Sequence, residues 1–110
     1  MKIINLGRGQ GKTVRLLYAS EWQDIPILCA NDKQKQHLVN MARDLRLCIP
    51  EPITTSELLS NKSKERRKIE DALVDEAPMV LQSIWRSLGM TGEIKAITLT
   101  EKEDDYGKDL

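Results

Sequence analysis

The 110-residue chain has no net charge to spend: its 17 lysines and arginines are matched by 17 aspartates and glutamates. No long-range field therefore draws it towards nucleic acid or an anionic membrane, and any such contact must be local. Apolar runs are short, far below the roughly 20 residues needed to span a bilayer. The Ile3, Ile4 stretch is also too brief for a signal peptide, so no membrane partner and a cytoplasmic location are expected. Cys29 and Cys48 are too far apart for a CxxC pair, and the single histidine, His37, lies among Lys and Gln. A zinc site thus lacks ligands. Both cysteines are expected to be buried and reduced, and His37 to be a solvated helix residue without an orienting partner. The aromatics Trp22 and Trp85 fall in predicted helices and are expected to pack. Length suits one domain, with little left for a second core.

What is present is an alternation of strands and helices. Ile3, Ile4 and Leu6 end at glycines and predict a buried strand running into a turn. A helix beginning near Lys12 is expected to turn Val14, Leu17 and Tyr18 inward. Pro26 to Ala30 is a second strand, with Asn31 and Asp32 as caps for the next helix. There Leu38, Met41, Ala42 and Leu45 recur at i, i+3, i+4 and i+7 and form one apolar stripe. Pro50 and Pro52 make Cys48 to Thr54 a turn and a short edge-like extended piece, after which Ser56 is expected to cap a brief helix through Leu59. Ala72 to Val74 is a third strand. Pro78 suits the start of a helix with Val80, Ile84, Trp85 and Leu88 on one face, stopped by Gly89. Ile94 to Leu99 is a fourth strand. Residues 1–100 therefore read as one α/β domain with a parallel sheet covered by helices, and 101–110 as a polar, acidic, disordered tail.

Two features look chemical, and both follow predicted strands, where ligands of parallel sheets bind. Gly7, Arg8, Gly9, Gln10, Gly11, Lys12 and Thr13 lie between a strand and a helix. Glycines let several backbone N–H groups converge on a polyphosphate, and the helix N-terminus adds its own. Lys12 brings a positive charge to the outer phosphates, and the Thr13 hydroxyl suits magnesium. Arg8 either reaches phosphate or is a solvated loop residue. The second feature is Ala72, Leu73, Val74, Asp75, Glu76, an apolar strand ending in two carboxylates. Alone it is more often a helix-start cluster, since acids favour that end of the dipole and Pro78 follows.

The loop resembles the G-R-G-x-G-K-[ST] form found in the large-subunit ATPases of phage DNA-packaging motors and in helicase-like P-loop NTPases. Its first glycine stands at Gly7, one place later than in G-x-x-x-x-G-K-[ST], where it would fall at Leu6. The resemblance implies a three-layer P-loop sandwich whose strands lie in the order first, fourth, third, second (1-4-3-2). It also implies ATP as ligand, Mg2+ held by Thr13 and Asp75, and Lys12 and Glu76 as the catalytic pair, Glu76 polarising the attacking water. Thr98 or Thr100 would then be a sensor near the γ-phosphate; the plainer reading is a strand with threonines on its wetter face. The implied role is a nucleotide-binding, slowly ATP-hydrolysing module of a phage or mobile element, in a host cytoplasm if phage-encoded. It would act on DNA or within a homo-oligomer or larger complex. Lys62, Lys64, Arg66, Arg67 and Lys68 offer phosphate contacts for DNA or form a solvated loop, with no aromatic interleaved for stacking. The other reading is a non-enzymatic interaction protein that keeps the fold, with nucleotide as a structural ligand or absent.

Overall fold

The computed structural model describes residues 11–60 and 70–98. Helix α1 spans Lys12–Gln23, strand β1 Ile27–Cys29, helix α2 Asp32–Asp44, strand β2 Ile53–Thr54, helix α3 Thr55–Leu59, strand β3 Leu73–Val74 and helix α4 Ala77–Ser87. The three strands form one parallel sheet in the order β2-β1-β3. Leu28 is in register with Ile53 on one side and Val74 on the other. This is a small α/β fold. The first expected strand, the Gly7–Gln10 part of the loop, the basic run at 62–68, Thr100 and the acidic tail lie outside the described residues.

Burial is carried by a continuous cluster of Leu16 and Leu17 from α1, Ile27 and Cys29 from β1, and Leu38 and Ala42 from α2. Met41, Leu45, Leu47, Ile49 and Leu73 pack around it, so the α2 stripe faces the core as its spacing predicts. Burial also holds the Cys29 thiol up to about 11, so it stays protonated and inert. Leu38 is fully buried. Leu38→Ala should therefore lower stability by about 2–5 kcal/mol, read as a fall in the urea midpoint; a loss within measurement error would mean that the cluster is not the folding core.

Local signals account for the element ends. Asn31 caps α2 by accepting from the Gln34 N–H at 2.9 Å. Thr54 caps α3 in a reciprocal capping box with Glu57. Ser56, expected in that role, is instead inside the helix, because the Thr-x-x-Glu spacing puts the box at Thr54. Lys35 joins α2 to this corner, with its ammonium 2.8 Å from Glu51 and 2.9 Å from Glu57. Burial alone would lower the Lys35 pKa, but the bonds to Glu51 and Glu57 outweigh it and raise it.

Four expectations need correction. The sheet is not ordered 1-4-3-2: the extended piece at Ile53–Thr54 is the strand beside β1, and Ile94–Thr98 joins no ladder among the described residues. The Ile94 N–H donates to Gln82 Oε1 at 3.2 Å rather than to a strand, and Ile97 remains 42% exposed. Tyr18 and Trp22 are exposed, Trp22 at 89%. At 100° per residue the buried set Leu16, Leu17, Ala19 and Ser20 centres opposite Tyr18, so α1 is turned by a little over a third of a turn from the orientation expected, with Leu17 inward in both. Cys48 is exposed, since Leu45, Leu47 and Ile49 take the core-facing places of an alternating segment and leave it between them. Leu88, just past α4, is 63% exposed, having left the helix before its side chain can return to the packed face.

Candidate functional site

The inward stripe of α1 is Thr13, Leu16, Leu17 and Ser20, at i, i+3, i+4 and i+7. Packing of the two leucines on the sheet therefore carries Thr13 to the sheet side as well. Gly11 precedes the helix in the left-handed conformation, φ 77°, ψ 19°, which a glycine adopts without a Cβ clash. At the other end of the site, the Asp75 N–H donates to the Leu28 carbonyl at 3.3 Å and extends the β1–β3 ladder by one bond. That places Asp75 at the carboxyl end of β3.

The two segments meet there. Thr13 Oγ1 donates to Asp75 Oδ1 at 3.5 Å across 62 residues of sequence. Lys12 Nζ lies 3.2 Å from Glu76 Oε1, each side chain a little over one-third exposed. Asp75 is only 7% exposed. Burial, and then the neighbouring Glu76 charge, raise its pKa; Lys12, the Thr13 hydroxyl and His37 pull the other way without cancelling them. His37 itself is exposed on α2, as expected.

Glu76 has φ 56° and ψ 62°, and its side chain makes no capping bond to α4. A left-handed non-glycine residue costs about 1 kcal/mol or more. That backbone turn aims Glu76 at Lys12 rather than at the helix N–H groups. Glu76 nonetheless stands at the N-cap of α4, where a carboxylate also favours the helix dipole, so its place fits the helix-start reading as well. Pro78 does occupy the first turn of α4, as predicted.

Thr98 is exposed and lies in no strand, so the strand expected to carry a sensor there is not formed by the described residues. What the sequence reading missed is a polar corner beside the site. Ser83 Oγ lies 2.6 Å from Thr55 Oγ1 and donates to the Ala30 carbonyl at 3.0 Å, tying α4 and α3 to the end of β1. Its signal was available: Met79, Gln82, Ser83 and Arg86 follow the i, i+3, i+4, i+7 spacing on α4.

No protein-family model, curated protein or solved structure matches the chain. No helix among the described residues is long and apolar enough to cross a membrane. No group of three or more His, Cys, Asp and Glu side chains able to hold a metal occurs among them either.

Proposed function

We propose that the chain binds a nucleoside triphosphate with magnesium at the start of α1 and hydrolyses it slowly. The observation that carries this reading is the approach of Thr13 and Asp75 to 3.5 Å, beside the Lys12–Glu76 pair. A basic side chain, a hydroxyl and a buried carboxylate converge at the N-terminus of a helix and the carboxyl end of a parallel strand, where anions and their cations are bound.

The residues fit magnesium. Both Thr13 and Asp75 supply oxygen, the donor this hard cation prefers, and magnesium keeps its remaining positions for water and substrate phosphate rather than for a cage of acids. Asp75, buried and with its pKa raised by desolvation and by Glu76, is a carboxylate short of positive charge. When bound, magnesium would supply charge neutralisation at the phosphate oxygens. Lys12 would leave Glu76 for the outer phosphates, and Glu76, released, would orient and take a proton from the attacking water. The ion pair is partly exposed and hence screened by solvent, so this exchange costs little.

A P-loop ATPase acting on DNA or within a phage assembly remains the family-level form of this proposal, with Gly7, Arg8, Gly9 and Gln10 completing the phosphate cradle. The interaction-protein reading is favoured by a different observation, the exposed Tyr18 and Trp22 one turn apart on α1. A titration with ATP, ADP and GTP, with and without magnesium, followed by phosphate release with and without DNA, separates the two. Magnesium-dependent binding with measurable release is expected. Absence of nucleotide binding would discard the reading.

A further inference from the structure

Beside the candidate phosphate site, α4 and the end of β1 enclose an open cavity of about 560 Å³. Ala30, Asn31, Met79, Gln82, Ser83 and Arg86 line it, and it sits at the carboxyl edge of the same sheet. Its volume is that of a small-molecule pocket. At roughly 1.5 Å of rise per residue, Arg86 stands about 15 Å along α4 from Glu76, so the Arg86 end of the cavity is set apart from the Lys12–Glu76 pair.

The hydrogen-bonding inventory of the cavity is one-sided. Asn31 Oδ1 is occupied by the Gln34 N–H at 2.9 Å, and Gln82 Oε1 by the Ile94 N–H at 3.2 Å. Because each of those partners is a backbone donor, the amide orientations are fixed, and the two NH2 groups are left as donors. The Ala30 carbonyl already accepts from Ser83. Among the described residues the Arg86 guanidinium meets no hydrogen-bond or ion-pair partner, and no lining residue is acidic. The Ser83 and Ser87 hydroxyl protons are taken as well, by the Ala30 and Ser83 carbonyls, so the donors left at the cavity are the two amide NH2 groups and Arg86, which carries the one formal charge of the lining.

We infer that this cavity is a second, anion-recognising binding site, in which Arg86 grips a phosphate or carboxylate of a small polar molecule and the amides of Asn31 and Gln82 orient it. The guanidinium fork matches either oxyanion with two parallel bonds. The cavity exceeds the size of the anion alone, leaving room for a polar body over Met79. The inference does not depend on nucleotide binding at Lys12.

The test is an NMR titration of the full-length, 15N-labelled chain with sodium phosphate and, separately, sodium succinate, each matched by sodium chloride of equal ionic strength. Saturable shifts of the Arg86 Nε–H and of the Asn31 and Gln82 NH2 signals are expected with at least one of the two, and their relative affinities tell phosphate from carboxylate recognition. Arg86→Gln should weaken binding about tenfold or more. Gln82→Glu, which keeps the acceptor for Ile94 but places a negative charge in the cavity, should weaken it as well. Lys12→Ala should leave it unchanged. Shifts that chloride reproduces, that survive both cavity substitutions in folded protein, or that vanish with Lys12→Ala would overturn the inference. The last of these would assign the anion to the α1 site instead.

Discussion

Lys12→Ala is expected to lower magnesium-nucleotide affinity about a hundredfold, the scale on which losing a charge-assisted contact to phosphate acts. The fold should survive, because the ion pair that Lys12 makes among the described residues, with Glu76, is partly exposed, and such pairs contribute little. The comparison therefore isolates binding from stability. Calorimetric titration of a variant whose thermal unfolding matches the parent is the measurement. Equal affinity in the two proteins would remove the nucleotide reading at its centre.

The adjacent carboxylates should separate by function. Glu76→Gln is expected to retain nucleotide binding and to lose turnover by about a hundredfold or more, the typical contribution of a positioned general base. Asp75→Asn should instead weaken the magnesium-dependent part of binding, since it removes the charge next to Thr13. It should also stabilise the free protein at pH 7. The sign follows from its raised pKa: the fold favours the protonated form, so ionised Asp75 costs stability as pH rises above the ordinary carboxylate range, and the cost disappears below it. Melting temperatures of Asp75→Asn and parent should thus differ in favour of the variant at pH 7 and converge near pH 4. Wild-type turnover in Glu76→Gln would reduce the acidic pair to a local backbone feature.

A gain of stability on removing a buried charge is the usual mark of a residue kept for a purpose other than folding. Lys35 provides the contrast within the same molecule. It is mostly buried but answered by Glu51 and Glu57, and these ion pairs lock α2 to the β2–α3 corner. Asp75 receives a long bond from Thr13 and faces a second acid.

Much of the architecture was legible wherever periodicity or a cap acts over a few residues. The α2 stripe, the Asn31 cap, the Pro78 start and the short extended piece before Thr54 are of this kind, and the structure holds all of them. Thr54 and Glu57 carried a readable capping box that the choice of Ser56 overlooked. Tyr18 and Trp22 face outward because the buried face of α1 is Leu16, Leu17, Ala19 and the polar Ser20, whose hydroxyl is satisfied inside by donating to the Ile25 carbonyl at 2.7 Å.

Gly11-Lys12-Thr13 at a helix start, and Asp75-Glu76 after an apolar strand, are patterns written in the sequence alone, because each depends on neighbours a few positions apart. That the two lie together is a tertiary fact. It follows from the parallel pairing of β1 with β3 and from the burial of Leu16 and Leu17, which together bring Thr13 to within 3.5 Å of Asp75. Sheet order likewise belonged to the tertiary structure: a two-residue strand such as β2, at Ile53–Thr54, has too few positions to show a period, and its place beside β1 is decided by what it packs against.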